Sequence, residues 1–216
     1  MQKICASSWV KALTLKSPCN APDGSYLWTF PNSDSLERTK REIRAVSVLD
    51  ESPNIPRIIA HNCEEADPEF IWIVEEYISG QNLRDAINDG RKFLINDIVR
   101  FLDTMLEIAV HSENKQLVHR DIKPENIIYS YNGHISLVDF GCSQIFDNKN
   151  KIYKNNSNKI GTISYCAPEI LYEKKYHINS DIWSLGVCIW ALLKKQRLFA
   201  SIYEINNPES KYKYFK

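Results

Sequence analysis

Short apolar runs around Trp9–Leu15 suit a single strand. Residues 17–35 follow with Pro18, Pro22, Gly24 and Pro31 among several Asn, Ser and Asp, which is loop chemistry. From Leu36 to Leu49 the pattern changes to helical spacing, with Leu36, Ile43, Val46 and Leu49 separated by charges. Ser52–Asn54 punctuates the chain. Ile55–Ala60 and Phe70–Ile78 are rich in Ile, Val, Trp and Tyr and read as strands. The acidic stretch Glu64–Glu69 between them predicts a hairpin.

After Gly80 the texture becomes helical. Leu83–Asn88 reads as a short helix. Ile95–Lys115 reads as a long amphipathic one, with Ile98, Phe101, Leu102, Met105, Ile108 and Ala109 on one face. Ile127–Tyr129 and Ile135–Val138 are short strand candidates joined by a turn at Asn132–Gly133. Asn179–Leu193 is a strongly apolar helix suited to burial. A strand-rich first third and a mainly helical remainder predict an α+β fold in two lobes, hinged near residues 75–80.

Composition narrows the function classes. The 216 residues carry 27 Lys+Arg against 27 Asp+Glu, so no global charge invites nucleic acid or a membrane surface. The longest apolar stretch, Ile182–Leu193, is too short to span a bilayer. MQKICASSWVK has no long apolar run, so no secretory signal is expected and the chain is assigned to the cytoplasm. The six cysteines form no C-x-x-C pair and match no zinc module, which predicts reduced, packed thiols. Residues 148–160, with five Asn and four Lys, read either as a solvated loop or as a regulatory one.

The chemistry concentrates in two short stretches. Val118–Asn126 (VHRDIKPEN) packs a carboxylate, two cations and an amide between the long helix and the strand pair. Thirteen residues after Asn126, at the end of Ile135–Val138, comes Asp139-Phe140-Gly141. Carboxylates and an amide from adjacent loops suit a divalent, oxygen-seeking cation. A lysine beside them suits a phosphate. A remaining carboxylate suits a hydroxyl proton. Together these are the parts of metal-assisted phosphoryl transfer.

The sequence resembles the eukaryotic-like protein serine/threonine kinase family over Glu42–Leu193. The motifs that carry the resemblance stand in family order: the H-R-D-x-K-x-x-N loop in Val118–Asn126, D-F-G at Asp139–Gly141, A-P-E at Ala167–Glu169 preceded by Gly161-Thr162, and D-x-W-x-x-G at Asp181–Gly186. The resemblance implies a two-lobed kinase fold that uses ATP and Mg²⁺. It implies that Asp121 accepts or orients the substrate hydroxyl proton, that Lys123 sits on the transferred phosphoryl group, and that Asn126 and Asp139 ligate Mg²⁺. It further implies that His119 and Phe140 pack in a spine and that Asp181 braces the catalytic-loop backbone. Lys123, two residues after Asp121, and Gly161-Thr162 resemble the Ser/Thr class, so the implied partner is a protein bearing Ser or Thr hydroxyls.

The hinge resembles Val74-Glu75-Glu76-Tyr77-Ile78, with Glu75 at the gatekeeper position, backbone groups of Glu76 and Ile78 facing adenine, and Ile128 beneath it. The wider pattern, from Ile55-Pro56-Arg57-Ile58 to Ser79-Gly80, is similar to bacterial kinases of the cyanobacterial type. Glu42 matches the helix glutamate that pairs with a strand lysine. Lys11, in Trp9–Leu13, is the candidate partner, with Lys16 as rival. The 31 residues between Lys11 and Glu42 exceed the family spacing, which an insertion at 17–35 would explain.

The pattern also departs from the family. None of the seven glycines makes G-x-G-x-x-G. The resemblance therefore predicts a kinase truncated at both ends, with a partial N-lobe at 1–78 lacking the glycine-rich loop and a C-lobe at 79–216 shortened after the Asp181–Leu193 helix. Such a chain would have reduced activity. It would expose the Trp9–Leu15 strand as an open sheet edge through which copies associate, and Glu169 would lose its usual arginine partner. The alternative from another class is a non-catalytic pseudokinase or decoy module that binds another kinase.

Overall fold

The computed structural model describes residues 8–14, 28–29, 33–49, 52–63, 70–146, 152–154, 161–173, 175–177 and 179–195. Its first third is a sheet and one helix. β1 (Ser8–Thr14) and β2 (Trp28–Thr29) precede α1 (Ser33–Val48), and β3 (Ile58–His61) and β4 (Phe70–Glu76) follow. The strand order is β2-β1-β4-β3. β1 lies antiparallel to β4 over its whole length, from Ser8 opposite Glu76 to Thr14 opposite Phe70. β3 and β4 form the expected antiparallel hairpin, interrupted by an irregularity between Ile58 and Ala60.

Of the edge expected along Trp9–Leu15, the described residues cover only the end. β2 runs parallel along β1, with Leu13 opposite Trp28 and Thr14 opposite Thr29. The end of β1 therefore bonds on both sides, which reduces the row of free backbone groups that invites association. A two-residue strand inside a proline-marked stretch shows no alternation from which to be read.

α1 buries Thr39, Glu42, Ala45 and Val46, one face at helical spacing that Leu49 just after it continues. The stripe is polar toward the N-terminal half and apolar toward the C-terminal half. Only the apolar half joins the main core, where full burial of a leucine such as Leu49 contributes about 2 kcal/mol.

The remainder is mainly helical: β5 (Gly80–Asn82), α2 (Leu83–Asn88), α3 (Ile95–Asn114), β6 (Leu117–Val118), β7 (Ile127–Ser130), β8 (Ile135–Leu137), β9 (Gln144–Ile145), β10 (Ile152–Lys154), α4 (Pro168–Glu173), β11 (Lys175–His177) and α5 (Ser180–Lys194). Asn82 caps α2 by accepting from the Asp85 amide at 2.8 Å. α3 buries Phe101, Met105, Ile108 and Ser112. α5 buries Leu185, Val187, Cys188, Ala191 and Leu192, and these join the α3 residues in one core.

β5, β7 and β8 form a small sheet, β6 pairs with β9, and β10 pairs with β11. Gly80 is required where β5 meets β7, because a Cβ there would stand 2.6 Å from the Tyr129 carbonyl oxygen. The β7–β8 turn falls at Asn132–Gly133 as expected, with Gly133 at φ +84. The architecture is α+β, with its strand-rich part first.

Candidate active site

The loop from His119 to Asn126 leaves β6 and enters β7, and it is fixed from below. Asp181, in the first turn of α5, accepts the His119 amide at 2.6 Å and the Arg120 amide at 3.0 Å. These bonds hold Arg120 at φ +68, a left-handed conformation that costs a non-glycine residue energy unless its surroundings impose it. Burial pushes the Asp181 carboxyl up, and the neighbouring His119 and Arg120 groups pull the other way. The Arg120 side chain is committed as well: Nε donates to the Cys142 carbonyl at 2.5 Å and the guanidinium lies 4.9 Å from the Tyr176 ring centre.

His119 and Phe140 pack edge to face with ring centres 4.6 Å apart. The Asp121 amide donates to His119 Nδ1 at 3.3 Å, so Nε2 carries the ring proton and donates to the Val138 carbonyl at 3.2 Å. The loop thus rests on the strand that leads into Asp139.

Asp121 is 8% exposed and its carboxylate is fully engaged. Oδ1 accepts from the Thr162 amide at 2.8 Å and the Thr162 hydroxyl at 2.9 Å. Oδ2 accepts from Lys123 Nζ at 2.7 Å and Asn126 Nδ2 at 3.3 Å. Lys123 also donates to Thr162 Oγ1 at 2.9 Å, which closes a ring of three side chains. Gly161 makes this possible: a Cβ there would stand 2.3 Å from the Arg120 carbonyl oxygen.

Asn126 donates to the Asp121 carbonyl at 2.9 Å through the same nitrogen. That leaves its amide oxygen as the end suited to a cation. Its backbone carbonyl accepts from the Val138 amide at 2.9 Å, which ties this loop to the residue before Asp139. Asp139 adopts φ 63, ψ 70 and directs its carboxylate at the Gly141 amide and at Arg38 of α1. One carboxylate and one amide oxygen on joined loops are hard donors that suit Mg²⁺, which is held by few protein ligands and completes its shell with water and phosphate.

Glu42 lies buried on α1, one turn after Arg38. Lys11 lies on β1 opposite Ile73, and its side chain is outside the described residues, as is Lys16 altogether. The Lys11–Glu42 pair therefore stays an expectation. Glu75 is buried at the end of β4. Glu76 spends its amide on the Arg57 carbonyl at 2.9 Å and its carboxylate on the Arg57 side chain at 3.4 Å. Ile78 lies in the extended segment between β4 and β5, and Ile128, opposite Asn82, lies half-buried on β7. Of the segment 148–160, only the backbone of 152–154 is described, paired with 175–177.

Sequence reasoning missed three features. Arg38 sits on Asp139. Arg84 bonds Glu125 at 3.0 Å and also donates to the Tyr165 hydroxyl, which links α2 to the loop between β6 and β7. Glu169 accepts from the Ser180 hydroxyl at 2.7 Å, which ties α4 to the start of α5. Only Arg38 had a sequence signal, its i, i+4 spacing to Glu42.

The model of the protein kinase domain family matches residues 30–214. The serine/threonine-protein kinase CHK1 of Saccharomyces cerevisiae is 32% identical over 160 residues, covering 72% of this chain and 30% of the yeast protein. The human serine/threonine-protein kinase DCLK3 is 35% identical over 145 residues, 65% of this chain and 21% of its own length. The serine/threonine-protein kinase atg1 of Dictyostelium discoideum is 30% identical over 165 residues, 75% and 24% respectively. The chain spans less than a third of the length of these relatives.

Proposed function

Because the chain belongs to the protein kinase domain family, we propose that it transfers the γ-phosphoryl group of ATP to Ser or Thr hydroxyls of proteins, with Mg²⁺. The observation that carries this reading is the ring of Asp121, Lys123 and Thr162. It sets a buried carboxylate and an ammonium group side by side under a loop that bears a hydroxyl. A substrate hydroxyl brought to this ring would donate to Asp121, and Lys123 would neutralise the phosphoryl oxygens.

Asn126 and Asp139 would hold Mg²⁺, which supplies charge neutralisation on the phosphates. Glu76 and Ile78 would orient adenine through their backbone, with Ile128 beneath the ring, and Glu42 would pair with Lys11. No described helix is long and apolar enough to cross a membrane, and the four described cysteines are free thiols. A cytoplasmic enzyme fits both.

A second reading rests on the seven glycines, none of which forms a phosphate-covering G-x-G-x-x-G. Without that cover water reaches the phosphates, and we expect turnover lower than in a relative that has it by about 10²-fold, the scale of lost positioning. At the limit this is a non-catalytic module that binds another kinase. Incubating the 216-residue chain with [γ-³²P]ATP, Mg²⁺ and separate Ser, Thr and Tyr peptide libraries decides between the readings. Label on Ser or Thr that disappears in Asp121→Asn supports the kinase. No label, together with nucleotide-independent thermal stability, leaves the binding module.

A further inference from the structure

The contact between Arg38 and Asp139 is not required by anything in the proposed reaction. A single nitrogen, Arg38 Nη2, lies 2.8 Å from Oδ1 and 2.7 Å from Oδ2 of Asp139. It therefore sits between the two carboxylate oxygens, where a carboxylate presents both of them to one cation. Mg²⁺ takes carboxylate oxygens at about 2.0–2.1 Å. A guanidinium nitrogen and a dication cannot share that position, by size or by charge.

A second observation is independent of this bond. The stem of Arg38 runs through space that Gly141 leaves open. A Cβ on Gly141 would stand 2.6 Å from Arg38 Cγ and 2.5 Å from Nε. The side chain is thus seated along its length, although half of it is exposed. Partial burial opposes its charge, but Asp139 together with the neighbouring Cys142 and Glu42 raises the guanidinium's pKa on balance. Arginine is charged at every physiological pH, so acidity does not release it.

We propose that Arg38 is a positioning residue that competes with the divalent cation for Asp139. The cation takes the carboxylate only when Arg38 lets go, so Arg38 sets the metal concentration at which the site fills. This rests on the reading of Asp139 as a metal ligand.

Mn²⁺ is the probe, titrated into the full chain with a fixed excess of ADP. Bound metal is read by water-proton relaxation, and the Mn²⁺–ADP signal without protein is subtracted. Arg38→Gln, which keeps much of the stem and removes the charge, should bind Mn²⁺ about five- to tenfold more tightly, the scale of a partly exposed ion pair. Arg38→Lys keeps a cation and should stay within about twofold of the native chain. Adding Asp139→Asn to Arg38→Gln should return binding to background. If Arg38→Gln binds no more tightly while Asp139→Asn removes binding, the competition is wrong and the metal assignment stands. If Asp139→Asn changes nothing, the metal assignment falls and the competition falls with it. A readout on the native chain covers a variant that folds poorly: the Arg38 Nε–H resonance should shift as Mg²⁺ and ADP are added, at the concentration where metal binds. A resonance that stays put while metal binds overturns the proposal.

Discussion

Asp121 and Asp139 stand on loops joined by one backbone hydrogen bond, yet they are held in opposite ways. Asp121 is buried, and its partners Thr162, Lys123 and Asn126 belong to the same half of the molecule. Asp139 is 28% exposed, and Arg38, a charged partner, comes from α1, beside the sheet, 101 residues earlier in the chain. The first arrangement is set before any ligand arrives. The second depends on where a separate helix lies. Electrostatic preorganisation needs the former, while control of occupancy needs the latter.

The largest effect should come from the fixed side. Asp121→Asn keeps the shape but removes the charge and turns an NH₂ group onto donors, so turnover should fall by about 10³-fold, read by phosphoryl transfer, together with some loss of melting temperature, read by calorimetry. If the fall is under tenfold, the ring around Asp121 is not catalytic. Asp181→Ala should come next, because it strips two buried amides of their acceptor. A loss of about 3 kcal/mol in urea unfolding is expected, and an unchanged midpoint would show that water replaces the carboxylate.

Thr162→Ala leaves the amide bond to Asp121 and deletes both hydroxyl contacts. About a tenfold drop in kcat is expected, with Thr162→Ser within about twofold of native; equal losses in both variants would assign the effect to packing. The smallest effect concerns pH. Burial pushes the Cys166 thiol up to about 12, and burial likewise pushes the Tyr176 hydroxyl up to about 12. The folded chain therefore holds these protons after the unfolded chain has lost them, at about pH 8.5 for a thiol and pH 10 for a phenol. Stability should decline as pH rises from about 9 toward 12, and Tyr176→Phe should make that decline shallower in melting temperature. An unaltered slope would place the cause elsewhere.

How much of this was legible depended on the range of each interaction. α1, α2, α3 and α5 are each set by their own residues, and their periodicity placed them within a few positions. The catalytic and metal candidates lie in contiguous motifs, so residue type and order identified them. The two- and three-residue strands β2, β5, β6 and β9 were invisible because alternation cannot show in so few residues. α4 is a six-residue helix that the A-P-E motif concealed. Arg38 was read only as one charge among several on a helix. Its partner is set by tertiary contact, and only its position one turn before Glu42 hinted that it faces inward.

Just beyond the end of α1, the backbone is pinned: Leu137 donates to the Asn54 carbonyl at 2.9 Å, and the Asn54 amide group donates to the Ile135 carbonyl at 2.9 Å. Together with Leu49 and Ile55 in the core, this makes a pivot. Arg38 lies three turns away, about 16 Å along the axis. At that radius, a tilt of about 10° sweeps the guanidinium through about 3 Å, roughly the length of the bond it makes. The helix is a lever whose short swing about its pinned end is enough to part Arg38 from Asp139 while the core beneath stays joined.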